Sequence, residues 1–481
     1  MNPTQKTIYQ RLPAGLQSLV ISWHGARILR ERFTAEYDEW IRFLDASQWY
    51  SEEEMTAWQD ERLRKLITHA YETVPYYREV MDREHLKPGD IRGKGDLWKM
   101  PVLERETVRA RPRDLLSTAV AEKDRRTTTT SGTTGTPLNL VWDWNVCMAT
   151  HACSFRIRGW AGFAFGRPYA TSLGRPVVPV ERQRPPFWRY NRPWNQLFLS
   201  PLHVSAANLP VYIRELRRRG IEALEAYPST AYFLACSLKA NNETLPLECV
   251  FTSGEPLMQA ERELIEERFE ARVFDGYSQS ERVAFTGECE RHEGHHIFGE
   301  YGIVEVLDQK REPVGPNSMG ELVATSLHNY AMPFIRYAFN DTVMTTDRTC
   351  SCGRGLPLLG GITTREEDIL VTADGRVMPP ISLAYWTFLV PGIERAQLVQ
   401  HDPNEIHARA VRKQEFTDDE RAELVKYFQT KFGPDIRVVL ERVDDIPLSR
   451  RGKFRRVVST VPLPDVFEGP QRSEREGWDE T

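Results

Sequence analysis

No apolar run in this 481-residue chain approaches the roughly 20 residues that a membrane-spanning helix needs. The stretch Leu16 to Trp23 is too short, and polar residues interrupt it before His24-Gly25 follows. Neither a membrane span nor a signal peptide is expected. Excess positive charge is also lacking. The 63 Lys and Arg fall below the 68 Asp and Glu, and the net charge of -5 argues against general nucleic-acid binding. Seven cysteines in the whole chain are too few for a disulfide framework. Reduced thiols or a metal site in the cytoplasm are expected instead. There is no internal repeat. What remains, 41% hydrophobic and 27% charged residues, has the composition of a globular protein able to bury a sizeable core. The length predicts two or three domains.

One stretch stands apart from that average. Every residue from Thr127 to Thr136 is Thr, Ser or Gly, and Pro137 follows. Hydroxyls and unobstructed backbone N–H groups suit a polyphosphate, and glycine permits close approach. The loop is not a Walker A motif, since no Gly-Lys-Ser/Thr ends it. The β-branched residues before it and the alternation from Leu138 to Trp144 predict a strand on each side. Taken alone, the loop reads equally well as a low-complexity polar turn.

Residues 1 to about 115 read as mostly helical, a layer over a larger domain. Apolar residues at Met55, Trp58, Leu63, Leu66, Ile67 and Ala70 make a helical stripe within Glu52 to Tyr77, broken by Pro75. Further helices are expected at Cys147 to Trp160, Val211 to Arg219, Leu257 to Phe269 and Asp418 to Phe432. Between Arg175 and Asn195, Arg175, Arg182, Arg184, Arg189 and Arg192 stand among prolines and aromatics, with Glu181 as the one acid. That stretch reads as an irregular solvated loop or as a lid for an anionic ligand. Val250 to Thr252 leads into Ser253-Gly254-Glu255-Pro256, and Val273-Phe274 leads into Asp275-Gly276-Tyr277-Ser278-Gln279-Ser280-Glu281. The strand–turn–helix–strand–turn order predicts an open α/β sheet with both polar turns at one rim, where such sheets bind ligands.

The Thr/Ser/Gly loop, Asp275 to Glu281, Arg336-Tyr337 with Asp341, Arg365 to Asp368 and Gly452-Lys453 stand in an order that resembles the acyl-adenylate-forming superfamily. The phenylacetate–CoA ligase family, in its CapK-like branch, is the best match. His69-Ala70-Tyr71 with Val74-Pro75-Tyr76-Tyr77, Ala226-Tyr227-Pro228-Ser229 and Gly452-Lys453-Phe454-Arg455 extend the likeness over nearly the whole chain. The resemblance implies an α/β fold. A large, multi-sheet N-terminal adenylation domain with its helical layer would cover residues 1–365. A small, mobile α+β domain would cover 366–481, with a hinge near 365–368.

The resemblance also implies roles. Ser131, Thr133 and Thr134 would hold the β- and γ-phosphates of ATP, with Gly132 and Gly135 giving the curvature. Glu281 would hold Mg²⁺, and Ser280 replaces the Thr of many relatives. Gly254, Glu255 and Pro256 would form the turn against adenine, with Asp275, Gly276 and Tyr277 beside the nucleotide. Asp341 would accept both ribose hydroxyls; Asn340 replaces the usual Gly, so a differently shaped turn is expected there. Arg365 belongs to the hinge, where Thr364 and Glu367 depart from the usual residues. Lys453 would be the catalytic lysine of the small domain. Cys289, His296, Cys350 and Cys352 would form a closed structural zinc site, with His295 as the alternate to His296; free cysteines on a loop are the other reading.

The expected activity is ATP-dependent activation of a small carboxylic acid as an acyl-AMP, followed by transfer to coenzyme A. An AMP-forming amide ligase or a carrier-protein loading enzyme is the alternative. A non-catalytic nucleotide-binding scaffold is the alternative of another class.

Overall fold

The computed structural model describes residues 8–129, 138–173, 177–179, 182–363, 370–378, 386, 389–390, 393–446 and 457–462. Its helical layer follows from local chemistry. After α1 (Ala14–Arg32) and α2 (Ala35–Ser47), a capping box of Ser51 and Glu54 starts α3 (Glu52–Thr73), with Glu52, Glu53 and Glu54 at the positive end of its dipole. Pro75 ends α3 and opens α4 (Pro75–Arg83), whose first position needs no donor. The buried side of α3, Leu63, Leu66, Ile67 and Ala70, shares a core with Leu322, Ala324 and Tyr337 of the sheet and with Phe334 in the connection between β12 and β13.

The strands β1 (Arg126–Thr129) and β2 (Asn139–Trp142) pair antiparallel; β2 follows the Thr/Ser/Gly loop as expected, whereas β1 is built from Arg126 and the loop's own Thr127 to Thr129, and a short 3-10 turn at Glu122–Asp124 precedes it. Next come β3 (Tyr169–Ser172), β4 (Trp188–Asn191), β5 (Gln196–Leu199), β6 (Ala223–Ala226), β7 (Cys249–Ser253), β8 (Arg272–Ser278), β9 (Phe285–Glu288) and β10 (His295–Ile297). They are followed by β11 (Gly302–Leu307), β12 (Met319–Ser326), β13 (Tyr337–Thr345) and β14 (Leu358–Thr363). Strands β3 to β14 form a 12-stranded sheet in the order β11-β12-β13-β14-β10-β9-β8-β7-β6-β3-β5-β4. Its run β8-β7-β6-β3-β5 is parallel and the remainder antiparallel. The short α5 (Arg105–Ala110) precedes the hairpin, and α6 (Trp144–Trp160) follows it. Helices α7 (Leu209–Arg218), α8 (Pro228–Ala240) and α9 (Gln259–Phe269) connect the parallel strands.

Toward the C-terminus, β15 (Leu370–Val371) pairs with β16 (Val377–Met378). Then β17 (Ile393–Asp402), β18 (Glu405–Arg412), α10 (Asp418–Phe432), β19 (Arg437–Val443) and β20 (Val457–Ser459) build a separate four-stranded sheet. Its core joins Leu398, Ile406 and Ala408 to Leu424, Phe428 and Phe432.

Two expectations need correction. The Arg-rich stretch is not wholly irregular, because it contains β4, and Arg189 is fully buried rather than solvated or free to meet a ligand. Its guanidinium donates through Nε to Gln17 Oε1 and through Nη1 to the Pro186 and Trp188 carbonyls, while Nη2 has no hydrogen-bond partner among the described residues. Arg182 donates to the Arg184 and Pro185 carbonyls, and Arg175 lies outside the described residues. Secondly, Asn340 and Asp341 belong to a strand. The pairing of β12 with β13 jumps from Glu321 opposite Thr342 to Val323 opposite Ala338, a bulge around Phe339 to Asp341. Bulges re-aim side chains, and this one contains the candidate carboxylate.

The helical layer is bolted to the sheet by a buried ion pair. Arg156 Nη2 of α6 lies 2.8 Å from Glu300 Oε1, with side chains 2% and 0% exposed. Arg156 also donates to the Leu44 carbonyl, and Ser47 donates to Glu300. Glu300→Ala strands a buried guanidinium and is expected to cost about 3–5 kcal/mol of stability by denaturant titration. Glu31→Ala, which breaks the exposed Arg27–Glu31 pair, should stay within about 1 kcal/mol.

Candidate active site

The parallel register aligns the carboxyl ends of β6, β7 and β8, with Ala226 opposite Thr252 and Ser253 opposite Gly276. The turns that follow therefore share one rim. Gly254 has φ +84, a left-handed conformation that favours glycine. Glu255 next to it accepts a hydrogen bond from the Ser229 N–H at 3.2 Å, in the first turn of α8. The carboxylate thereby complements that helix's positive end.

Asp275 and Tyr277 project from the same side of β8 and lead to different networks. Asp275 accepts from Thr252 Oγ1 at 2.5 Å, and its backbone N–H donates to Glu288. Burial, reinforced by the Glu288 charge, pushes the Asp275 carboxyl up to about 8. Burial would raise Glu288 as well, but the His292 hydrogen bond, His295 and Arg262 together hold it at about 2. Arg262 of α9 grips both Glu288 oxygens at 2.7 and 2.8 Å. Gly276, on the opposite side of β8, has a packing reason: a Cβ there would stand 3.1 Å from Ile157 of α6.

Tyr277 reaches across to β13 and donates to Asp341 Oδ2 at 2.7 Å. Nearby, Glu281 is buried in the turn after β8. Its Oε1 accepts from Arg105 Nη1 at 2.8 Å and from the Tyr337 hydroxyl at 3.1 Å. Both bonds fall on the same oxygen. Burial, and then the neighbouring carboxylates, push the Tyr277 and Tyr337 phenols far above their ordinary range, which keeps both as donors. Ser280 is exposed on the same turn.

The stem of the Thr/Ser/Gly loop meets this group. Leu138 and Leu140 share a core cluster with Tyr277, Val283 and Tyr337, and Asn329 Nδ2 donates to the Val141 carbonyl. The structure thus gathers Tyr277, Glu281 and Asp341 beneath the hairpin. Ser131, Gly132, Thr133, Thr134, Gly135, Arg365 and Lys453 lie outside the described residues. Sequence reasoning missed Arg105 and the Tyr337 hydroxyl. Arg105 is one arginine of several before the loop, and only the fold points it at Glu281.

A second cluster lies where β9, β10 and the segment before β14 meet. The ligand atoms of Cys289, His296, Cys350 and Cys352 lie within 4.8 Å of one another. Cys289 Sγ is 3.6 Å from Cys350 Sγ, and Cys352 Sγ is 3.6 Å from His296 Nε2. His296 Nδ1 contacts the Leu356 carbonyl at 3.2 Å, a bond that fixes the ring and turns Nε2 toward the thiols. The N–H groups of Arg291 and Arg354 point at Cys289 and Cys352 sulfurs. His295 turns elsewhere, toward Thr286 and Asp275. Three thiols and one imidazole fit the donor set of a closed tetrahedral site.

Residues 370–460 match the family described as the CapK C-terminal domain. Over 462 residues the chain is 23% identical to Protein CapK of Staphylococcus aureus, covering 94% of this chain and 99% of that one. It is 26% identical over 458 residues to a phenylacetate-coenzyme A ligase of Thermus thermophilus, with coverages of 84% and 96%. The chain is a relative of CapK and of the phenylacetate-coenzyme A ligases. A crystal structure of 2-hydroxyisobutyryl-CoA ligase, in complex with 2-HIB-AMP and CoA, shares the fold at TM-score 0.58 and 21% identity, covering 89% of this chain and 93% of that one. The CapK match coincides with the separate C-terminal sheet, and the other likenesses extend through the large sheet that carries the rim.

Arg105 and Glu281 are 7% and 6% exposed, so neither charge is answered by water. Arg105→Met is expected to destabilise the protein by about 3–5 kcal/mol, measured by denaturant titration. Adding Glu281→Gln should recover most of that loss, because the second change removes the stranded charge.

Proposed function

We propose that this chain is a cytoplasmic, ATP-dependent ligase that activates a small carboxylic acid as an acyl-AMP and passes the acyl group to coenzyme A. The observation that carries the reading is the convergence of Glu281 and Asp341, each held by a tyrosine hydroxyl, beneath the stem of the Thr/Ser/Gly hairpin. Its relatives of matching length, named CapK and phenylacetate-coenzyme A ligase, support it. The acid's carboxylate oxygen attacks the α-phosphorus of ATP, and pyrophosphate leaves with the electrons of the broken P–O bond. The thiol sulfur of coenzyme A then attacks the acyl carbon, AMP leaves, and the thiol gives up its proton.

In this reading Ser131, Thr133 and Thr134 donate to the terminal phosphates, while Gly132 and Gly135 let the backbone approach. Gly254, Glu255 and Pro256 border the adenine, with Asp275, Gly276 and Tyr277 in the strand alongside it. Asp341 accepts from the ribose hydroxyls, a task for two acceptor oxygens. Glu281, with Ser280 beside it, is the Mg²⁺ site; the ion supplies charge neutralisation at the phosphates. Residues 1–365 and 366–481 act as two domains about the Arg365 hinge, and Lys453 enters from the small one to offset charge at the α-phosphate. The Cys289, His296, Cys350 and Cys352 cluster holds a structural zinc.

Two experiments test these assignments. Pyrophosphate exchange into ATP across a panel of aryl, fatty, uronic and amino acids should reveal a substrate, and coenzyme A should then yield a thioester. Lys453→Ala should slow exchange roughly 100- to 1,000-fold yet still convert supplied acyl-AMP with coenzyme A. Absence of exchange with every acid would refute the ligase reading, and an unchanged mutant rate would remove Lys453. Separately, freshly purified protein should carry about one zinc per chain, and Cys350→Ser should both release it and lower the melting temperature. Metal analysis without zinc would overturn that assignment.

A further inference from the structure

Helix α1 docks onto the outer edge of β4 through polar and small residues, with Ile21 and Leu29 half-buried on the same side. Ser18 Oγ accepts from the Tyr190 N–H at 3.3 Å, and Ser22 Oγ donates to the Tyr190 carbonyl at 3.3 Å. Ser22 Oγ also accepts from the Arg192 N–H, and the Trp194 indole donates to the Gly25 carbonyl. Gln17 takes the buried Arg189. Gly25 permits the close approach, since a Cβ there would lie 2.1 Å from Asn191 Oδ1. These bonds satisfy edge-strand groups that would otherwise template aggregation.

The outward face is apolar. Leu16, Leu19, Val20 and Trp23 are 47%, 65%, 38% and 70% exposed. Their i, i+3, i+4, i+7 spacing places them within a stripe about 100° wide. Arg27 and Arg30 continue the same stripe toward the C-terminal end, and Arg11 stands exposed before the other end. No acidic residue occurs from Ile8 to Arg30 in a chain whose net charge is -5; Glu31 follows, 3.5 Å from Arg27, which leaves Arg11 and Arg30 in excess. An apolar stripe of this length left in water, flanked by arginines, is the mark of an interaction site.

We propose that α1 is an interfacial helix that seats this protein on an anionic lipid surface. Leu16, Leu19, Val20 and Trp23 enter the boundary between headgroups and acyl chains, while Arg11, Arg27 and Arg30 meet lipid phosphates. No helix among the described residues is long and apolar enough to cross a membrane, so the contact is peripheral. A second copy fits less well. Stripe on stripe, an antiparallel pair sets Arg11 against Arg27 and Arg30, and a parallel pair sets each arginine against its own equivalent. The inference is independent of the proposed ligase reaction.

Co-sedimentation of the full chain with vesicles tests it. The protein should pellet with phosphatidylcholine vesicles containing phosphatidylglycerol, less with phosphatidylcholine alone, and less as salt rises. Leu19→Glu with Trp23→Glu should weaken binding at least about 10-fold, with the melting temperature unchanged because both side chains are exposed. Arg27→Gln with Arg30→Gln should weaken it about fivefold per charge. Wild-type protein that pellets no better with anionic vesicles than without vesicles overturns the proposal, as does the double-glutamate variant binding like wild type. A dimer in sedimentation velocity that the double-glutamate variant abolishes would assign the face to a second copy instead.

Discussion

Arg105–Glu281, Arg156–Glu300, Arg262–Glu288 and Arg336–Glu305 are ion pairs largely withdrawn from water, and each joins parts of the chain that are distant in sequence. A charge taken out of water must meet an opposite charge or several fixed hydrogen-bond acceptors, or it disfavours the fold by several kcal/mol. That constraint fixes how the helical layer sits on the twelve-stranded sheet. Apolar packing between α3 and the sheet supplies attraction but tolerates small slides. A guanidinium fork on a carboxylate tolerates far less. Arg336 shows the point: it pairs with Glu305 and also donates to the Trp98 and Met100 carbonyls, tying the approach to α5 to the start of β13.

The same clamps bring the candidate site into register. α5 holds Glu281 through Arg105, and β13 holds it through Tyr337. Four positions later on β13, a bulge turns Asp341 to meet Tyr277 of β8. Two carboxylates are thus positioned by neutral phenols and one cation. The Asp275–Glu288–Arg262 network behind them differs in kind. There one carboxyl is driven toward its neutral form so that the other stays ionised, the usual outcome when two acids share a buried space.

Much of this was legible in the sequence, for local reasons. The Thr/Ser/Gly loop predicted a strand on either side; β2 is there and β1 takes in the loop's own Thr127 to Thr129, because β-branched and alternating residues carry their own backbone preference. The stripe from Met55 to Ala70 predicted α3, and Pro75 its end. Asp418 to Phe432 predicted α10 to the residue, since Thr417 and Glu420 cap one end and Gly433 closes the other. The four candidate metal ligands were named from residue type and family likeness, and the fold brought them together from positions 61 residues apart at the Cys289–Cys350 contact and 56 apart at Cys352–His296.

Other features were decided by tertiary structure alone. The Arg-rich stretch looked solvated because composition counts charges and cannot see Gln17 and the Pro186 and Trp188 carbonyls meeting Arg189. Arg105 had no local signature, since its role exists only once Glu281 is placed opposite it. The apolar run Leu16 to Trp23 was correctly judged too short to span a membrane. Periodicity alone would have turned those leucines inward. Only the docked helix shows that Ser18, Ser22 and Gly25 meet the edge of β4 and that Leu16, Leu19, Val20 and Trp23 are left outside. Local sequence determines which elements form, because helix and strand preferences act within a few residues. Which faces meet, and which charges are buried together, depends on long-range pairing that no short window contains.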